Sequence, residues 1–267
     1  MDFGELFSQT WNDYKLNSKS INKFLIIFLV IPSILILILS ILIMLSNDSI
    51  REIVLSRSAK NPTNLLSNTS FLIFLIFSII INVILFVFTH SSLLSTSINK
   101  NKFNYADLVN FGKKSFWKYL VFSIATALML LLLLFLFIIP GIIFMIFWIF
   151  GIYVYFDQKK GIMESLKTSK NLVKGRWWRV LGYLILLILI YLALSIAISL
   201  IAFILTLPFN LMDGISFLQS DKPMTPTYFI ASTIINSLGK LALSLIATPF
   251  GLIFFRNLYN DFKKSKK

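Results

Sequence analysis

From 180 to 204 the chain carries no charged residue, and that run decides what it can fold into. About 20 apolar residues in a helix cover the ~30 Å of hydrocarbon in a bilayer. In lipid, backbone N–H and C=O groups find no water, so a run of this kind must be helical. Comparable runs stand at 24–45, 71–94, 119–139 and 228–255, with a shorter one at 142–156. The spacing therefore predicts an all-α integral membrane protein, a single polytopic domain over 1–267 with six transmembrane helices at 24–45, 71–94, 119–139, 142–156, 180–206 and 228–255. Charged residues make up 13% of the chain, about half of the usual quarter for a soluble domain. Pro32 should kink the first span, and Pro140-Gly141 should form a tight turn between the third and fourth. The start reads as a permanent span rather than a cleavable signal, since its apolar core exceeds the usual stretch of about 7 to 15 residues. Polar loops are expected at 46–70, around Asn61-Pro62, and at 207–225.

The net charge is +14, and where the cations sit explains it better than nucleic acid does. Lys15, Lys19 and Lys23, the links at 95–118 and 157–179 and the tail from Arg256 hold 20 of the 25 Lys and Arg residues. Arg51, Arg57, Lys60 and Lys222 lie on the opposite side, and Lys240 falls inside a span. By the positive-inside rule both termini and these links are cytoplasmic, in the cell (inner or plasma) membrane.

Each cytoplasmic link carries apolar residues at helical spacing. Phe3, Leu6, Phe7, Thr10, Trp11 and Tyr14 share a face, with Glu5, Gln9, Asn12 and Asp13 opposite. Tyr105, Leu108, Val109, Gly112 and Phe116 do the same, facing away from Asp107 and Lys114. In the third, Ile162, Leu166, Ser169, Val173 and Trp177 form the stripe, Lys160, Lys167, Lys170 and Lys174 flank it, and Gly175 is a natural helix stop. These read as three cytoplasmic amphipathic interfacial helices. Each has an early acid near a leucine and then a pair of spans, which reads as three helix-plus-hairpin repeats.

Two groups of residues are candidates for binding. Lys167, Lys170, Lys174, Arg176, Trp177, Trp178 and Arg179 form a cationic, tryptophan-bearing hinge before the fifth span. It would anchor the chain to anionic headgroups, each basic residue gaining about 1 kcal/mol at such a surface, or dock an acidic partner. Within the spans, Lys240 is the sharpest residue, because a cation at mid-depth costs ~3 kcal/mol or more. Asn236 and Ser195 lie on neighbouring polar stripes. Lys240 either lines a substrate path or snorkels to the outer headgroups.

Catalytic chemistry has little to stand on. There is no Cys and one His, His90, so thiolate nucleophiles and histidine zinc sites lack their residues, and His90 reads as an interfacial polar residue. No Gly-rich phosphate loop, nucleophile elbow or paired carboxylate in a span occurs. No enzyme, no cofactor, no metal site and no nucleic-acid partner is expected.

The run P-G-I-I-F-M-I-F-W-I-F from Pro140, Asp157, the segment E-S-L-K-T-S-K-N-L-V-K-G-R-W-W-R-V from Glu164, and T-P-F-G-L-I-F-F-R-N-L-Y-N-D-F-K from Thr248 carry a resemblance. Over its C-terminal half the chain resembles a broad family of uncharacterised prokaryotic multi-span membrane proteins. That family is related to the membrane domain attached to some glycerophosphoryl diester phosphodiesterases. The closing pattern is Tyr259, Asp261 and Lys263. In that family catalysis belongs to a separate soluble barrel, which this chain lacks; His90 is followed by Ser-Ser rather than Arg-Gly. The resemblance implies a six-span membrane module without the phosphodiesterase activity. The expected role is a non-catalytic module organising membrane lipids, through anionic headgroups, or a membrane-protein partner at the cytoplasmic face. The alternative is a small permease built on Lys240 and the polar faces of the last two spans.

Overall fold

Several helix starts in this chain are set by side chains that take up free N–H groups. The computed structural model describes residues 1–55, 68–94, 103–212 and 224–265. Asp2 Oδ1 accepts the Glu5 N–H at 2.8 Å while Glu5 Oε2 accepts the Asp2 N–H at 3.1 Å, a reciprocal box that starts α1, Phe3–Leu25. After α2, Ile31–Ser46, Asn47 caps the Ile50 N–H and starts α3, Asp48–Leu55. Asn68 caps α4, Thr69–Leu93, in the same way. Asp107 Oδ2 accepts the Asn104 N–H at 2.9 Å at the head of α5, Tyr105–Leu136. There follow α6, Ile138–Phe147, α7, Gly151–Gln158, α8, Ile162–Val173, α9, Trp177–Met212, and α10, Pro226–Lys264.

The protein is all-helical, with no strand among the described residues, and six of its helical stretches are long and apolar enough to cross a membrane. They run Phe3–Ser46, Thr69–Leu93, Tyr105–Leu136, Ile138–Gln158, Trp177–Leu211 and Pro226–Lys264. Asn61-Pro62, Arg57, Lys60 and Lys222, with most of the two expected loops and the first part of the 95–118 link, lie outside the described residues. So do the last two lysines.

Several boundaries differ from expectation, each for a local reason. The N-terminal helix does not stop before the first span: α1 passes through a π-turn at Ile26–Val30 directly into α2. Pro32 lacks an N–H and its ring crowds the carbonyl four residues back, so the preceding turn widens. The break between the third and fourth spans is at Phe137, in extended backbone (φ −152°, ψ 104°), not at Pro140-Gly141. Pro140 sits instead in the first turn of α6, where a missing N–H costs nothing. Gly141 permits the close approach, since a Cβ there would lie 2.5 Å from Leu134 Cδ2. The start of the first expected loop is helical, as α3. At the second, α9 continues past 206 through Pro208 to Met212.

The expected fourth span is also broken, at 148–150, between α6 and α7. Two of its backbone groups are taken up from outside the hairpin. The Ser169 hydroxyl of α8 donates to Phe147 O at 2.7 Å and accepts the Phe150 N–H at 3.2 Å. A buried peptide group left without a partner costs about 1–3 kcal/mol, so Ser169 on the buried face of α8 is explained. Gly175 ends the α8 segment in the left-handed region (φ 83°), as its type predicts.

Two compact units divide the described chain. The first comprises Met1–Leu25, Phe86–Tyr191 and Ile246–Lys267. It holds the aromatic core, in which Leu6, Phe150, Val173, Val180, Phe254 and Phe262 are fully buried. At Gly112 an added Cβ would lie 1.9 Å from Ser92 Oγ, so this glycine lets α4 and α5 cross in contact. The second unit, Ile26–Leu85 and Leu192–Leu245, buries few side chains, among them Met44, Ile50 and Ala202. Its Leu, Ile and Phe residues mostly point outward, Ile73 being 64% exposed and Ile201 59%. Apolar exposure of that extent suits helices solvated by lipid.

Candidate functional site

The polar chemistry of the molecule gathers in the first unit, where α1, α7 and the start of α9 meet the end of α10. Arg256 follows the apolar part of α10 and its side chain is only 4% exposed; its Nη2 donates to Asp13 Oδ2 at 2.7 Å. Asn257 Nδ2 donates to the same carboxylate oxygen at 3.1 Å and to Thr10 Oγ1 at 3.3 Å, and the Thr10 hydroxyl donates to Leu6 O at 2.7 Å. Asp13, placed by helical spacing on the solvent side of α1, is thus the counter-ion of a buried guanidinium. A buried charge of this kind is stable only while paired.

A second cluster joins α7 to the last turns of α10. Tyr259 donates to Asp157 Oδ2 at 2.7 Å, Lys263 Nζ reaches the same oxygen at 2.6 Å, and Gln158 Nε2 donates to the Tyr259 hydroxyl at 3.2 Å. Deeper in, Tyr153 donates to Leu252 O and Tyr191 to Ala247 O, both at 3.0 Å. These carbonyls flank Pro249, whose absent N–H interrupts the ladder of α10.

The hinge residues divide. Arg176 bonds Ser265 and its guanidinium lies 5.1 Å from the Phe262 ring centre. Arg179 lies 3.7 Å from Asp261, bonds the Met1 carbonyl and stacks near Phe262 and Tyr183. Lys170 Nζ stands 5.0 Å over the Phe144 ring, and Trp177 donates its indole N–H to Ile143 O at 3.4 Å. These four face the protein. Lys167, Lys174 and Trp178 face outward, Trp178 being 78% exposed. In α8 the residues at the stripe positions Leu166, Ser169 and Val173 are buried, together with Ser165 and Leu172.

The intramembrane candidates are not brought together. Asn236 donates to Ser232 O of its own helix at 2.8 Å. Lys240 is exposed, and among the described residues no hydrogen bond or ion pair joins it to Asn236, Ser195 or any carboxylate. His90 donates from Nδ1 to Phe86 O at 2.9 Å and stacks on that ring. No group of three or more possible metal ligands occurs among the described residues.

One concave feature escaped the sequence reading. Between α5 and the end of α7 lies a pocket of about 400 Å³, with Lys114 and Lys118 on one wall, Lys159 and Lys160 on the other, and Phe111 and Phe156 beneath. The only signal for it was cationic residues in two different links, and nothing in their spacing says that the links adjoin.

No curated protein and no solved structure matches the chain. The stretch 109–262 contains Asp157, Arg179, Arg256, Asn257, Tyr259 and Asp261, which tie this polar end together, and it is also the stretch that matches a family model. By that match, over more than half its length, the chain belongs to the family described as Domain of unknown function (DUF7847).

Proposed function

We propose that the protein is a non-catalytic, multi-pass module of the plasma membrane that gathers anionic lipid headgroups, or holds a membrane-protein partner, at its cytoplasmic face. Both termini and α8 lie on that face in this reading, and the N-terminal helix, the head of α5 and α8 serve as interfacial helices of three related units. The observation that carries it is the placement of 20 of the 25 Lys and Arg residues in the termini and the two basic links. The outward Lys167, Lys174 and Trp178 support it, since cations and an indole at the surface suit an anionic interface. Kinship with the membrane domain of the phosphodiesterases belongs to the same proposal.

The absence of cysteine from the chain makes the test clean. Lys174→Cys and Glu52→Cys are single thiols for a membrane-impermeant maleimide. In intact cells Glu52→Cys should react and Lys174→Cys should react only after permeabilisation; the opposite order refutes the orientation. Native mass spectrometry from mild detergent should show retained anionic lipid, reduced in K167Q/K174Q. A chain that retains neither lipid nor protein removes the role.

A further inference from the structure

We propose that the lysine-lined pocket between α5 and the end of α7 is a binding site for a phosphate group, and that the phosphate is the headgroup of an anionic membrane lipid. The proposal rests on the lipid-gathering reading only for its choice of a lipid; the pocket stands on its own geometry.

Charge is the first argument. Lys114 and Lys118 are one helical turn apart on α5 and so project from the same wall. Lys159 and Lys160 face them across about 400 Å³, within the range of small-ligand sites. Lys160 has a carboxylate of its own, Glu164 Oε1 at 3.3 Å, and donates to Thr168 Oγ1 at 3.3 Å. Lys114, Lys118 and Lys159 have no ion pair among the described residues. The nearby Asp157 is already held by Tyr259 and Lys263. Three cations thus converge on a cavity with no anion of the protein to neutralise them, and a phosphate with two or three acceptor oxygens matches that need.

The backbone gives the second argument. Lys159 is in the left-handed region (φ 51°), the one non-glycine residue there among the described residues. A helix usually ends on Gly or Asn in this conformation. A lysine at the position keeps a side chain at the mouth of the pocket, and strained backbone of this kind concentrates at ligand sites. The third argument is the floor. Phe111 and Phe156, with ring centres 6.2 Å apart, are half-buried apolar surface beneath the cations. That surface suits the glycerol and first methylenes of a lipid and contributes nothing to a free inorganic anion.

The full chain in phosphatidylcholine nanodiscs is titrated with short-chain phosphatidic acid and with inorganic pyrophosphate. The variants are K114Q/K118Q/K159Q and, for comparison, K167Q/K174Q on α8. All five lysines are outside the core, and helical circular dichroism checks that each variant is folded. Phosphatidic acid should bind saturably to the unaltered protein. The pocket variant should bind on the order of a hundred-fold more weakly, as follows from about 1 kcal/mol for each of three lysines, and the α8 variant, whose lysines lie outside the pocket, should lose much less. Equal binding by the pocket variant and the unaltered protein overturns the site. Equal losses in both variants overturn it too, in favour of diffuse attraction to a basic surface. Pyrophosphate binding as tightly as phosphatidic acid overturns the lipid source while supporting the phosphate site. Lys159→Gly, which keeps the left-handed backbone and removes the cation, should weaken phosphatidic acid several-fold; no change assigns Lys159 to the turn alone and overturns its part. Nanodisc binding has no sidedness, so a failure of the maleimide test leaves these outcomes readable.

Discussion

Both units of this chain contain long apolar helix, and the first packs an aromatic core, whereas the second buries few side chains. In the first, Phe254, Phe262 and Leu6 are sealed among other side chains, and Arg256 and Asp157 are paired with groups from distant segments. In the second, Leu35, Ile73 and Leu200 are each more than half exposed, and Lys240 stands outside any ion pair among the described residues. Hydropathy reports only that a residue avoids water. Whether protein or lipid then surrounds it depends on which segments bring partners, and here those partners are aromatic and charged residues at the ends of helices.

The comparison can be broken by substitution, and the largest effect should come from the buried ion pair. Asp13→Ala leaves Arg256 without its carboxylate in an enclosed site, a change that costs about 3 kcal/mol or more. The midpoint of SDS-induced unfolding in mixed micelles should fall accordingly, and an unchanged midpoint would mean that Arg256 finds water or another partner. Next comes Ser169→Ala, which removes one hydroxyl serving two peptide groups and should cost roughly 1–3 kcal/mol in the same assay. A loss below that range would show the 148–150 break relaxing into helix. The smallest effect belongs to the second unit. Lys240→Leu should shift the midpoint by no more than about 0.5 kcal/mol, as for a substitution away from packed or paired groups. The same variant bears on the permease alternative, because a transporter using that charge should lose uptake whereas an anchor should not.

Much of the architecture was legible because helix-forming apolar runs declare themselves one at a time. The six helical stretches, the α8 stripe of Leu166, Ser169 and Val173, and the stop at Gly175 all follow from local pattern. What escaped reading is pairwise. Asp13 and Arg256 are separated by 243 positions, and each alone resembles an ordinary charge beside a span. Arg176 and Arg179 read as lipid-facing because neither the Phe262 ring nor Asp261 is near them in sequence. The break at 148–150 carried no Pro at all, since its backbone groups depend on a hydroxyl in a different helix. The turn expected at Pro140-Gly141 moved to Phe137 because proline is better tolerated inside the first turn of a helix than the pattern suggests.

The Ser169 bridge also bears on how the molecule is made. Phe147 and Phe150 leave the ribosome well before the hydroxyl that completes their backbone bonds, which lies 19 residues beyond Phe150. At ordinary synthesis speeds that is a delay on the order of seconds. During it the α6–α7 hairpin is an unfinished insertion substrate, and the arrival of α8 closes it. Docking of α8 therefore completes, late in synthesis, the backbone bonding of a break made earlier.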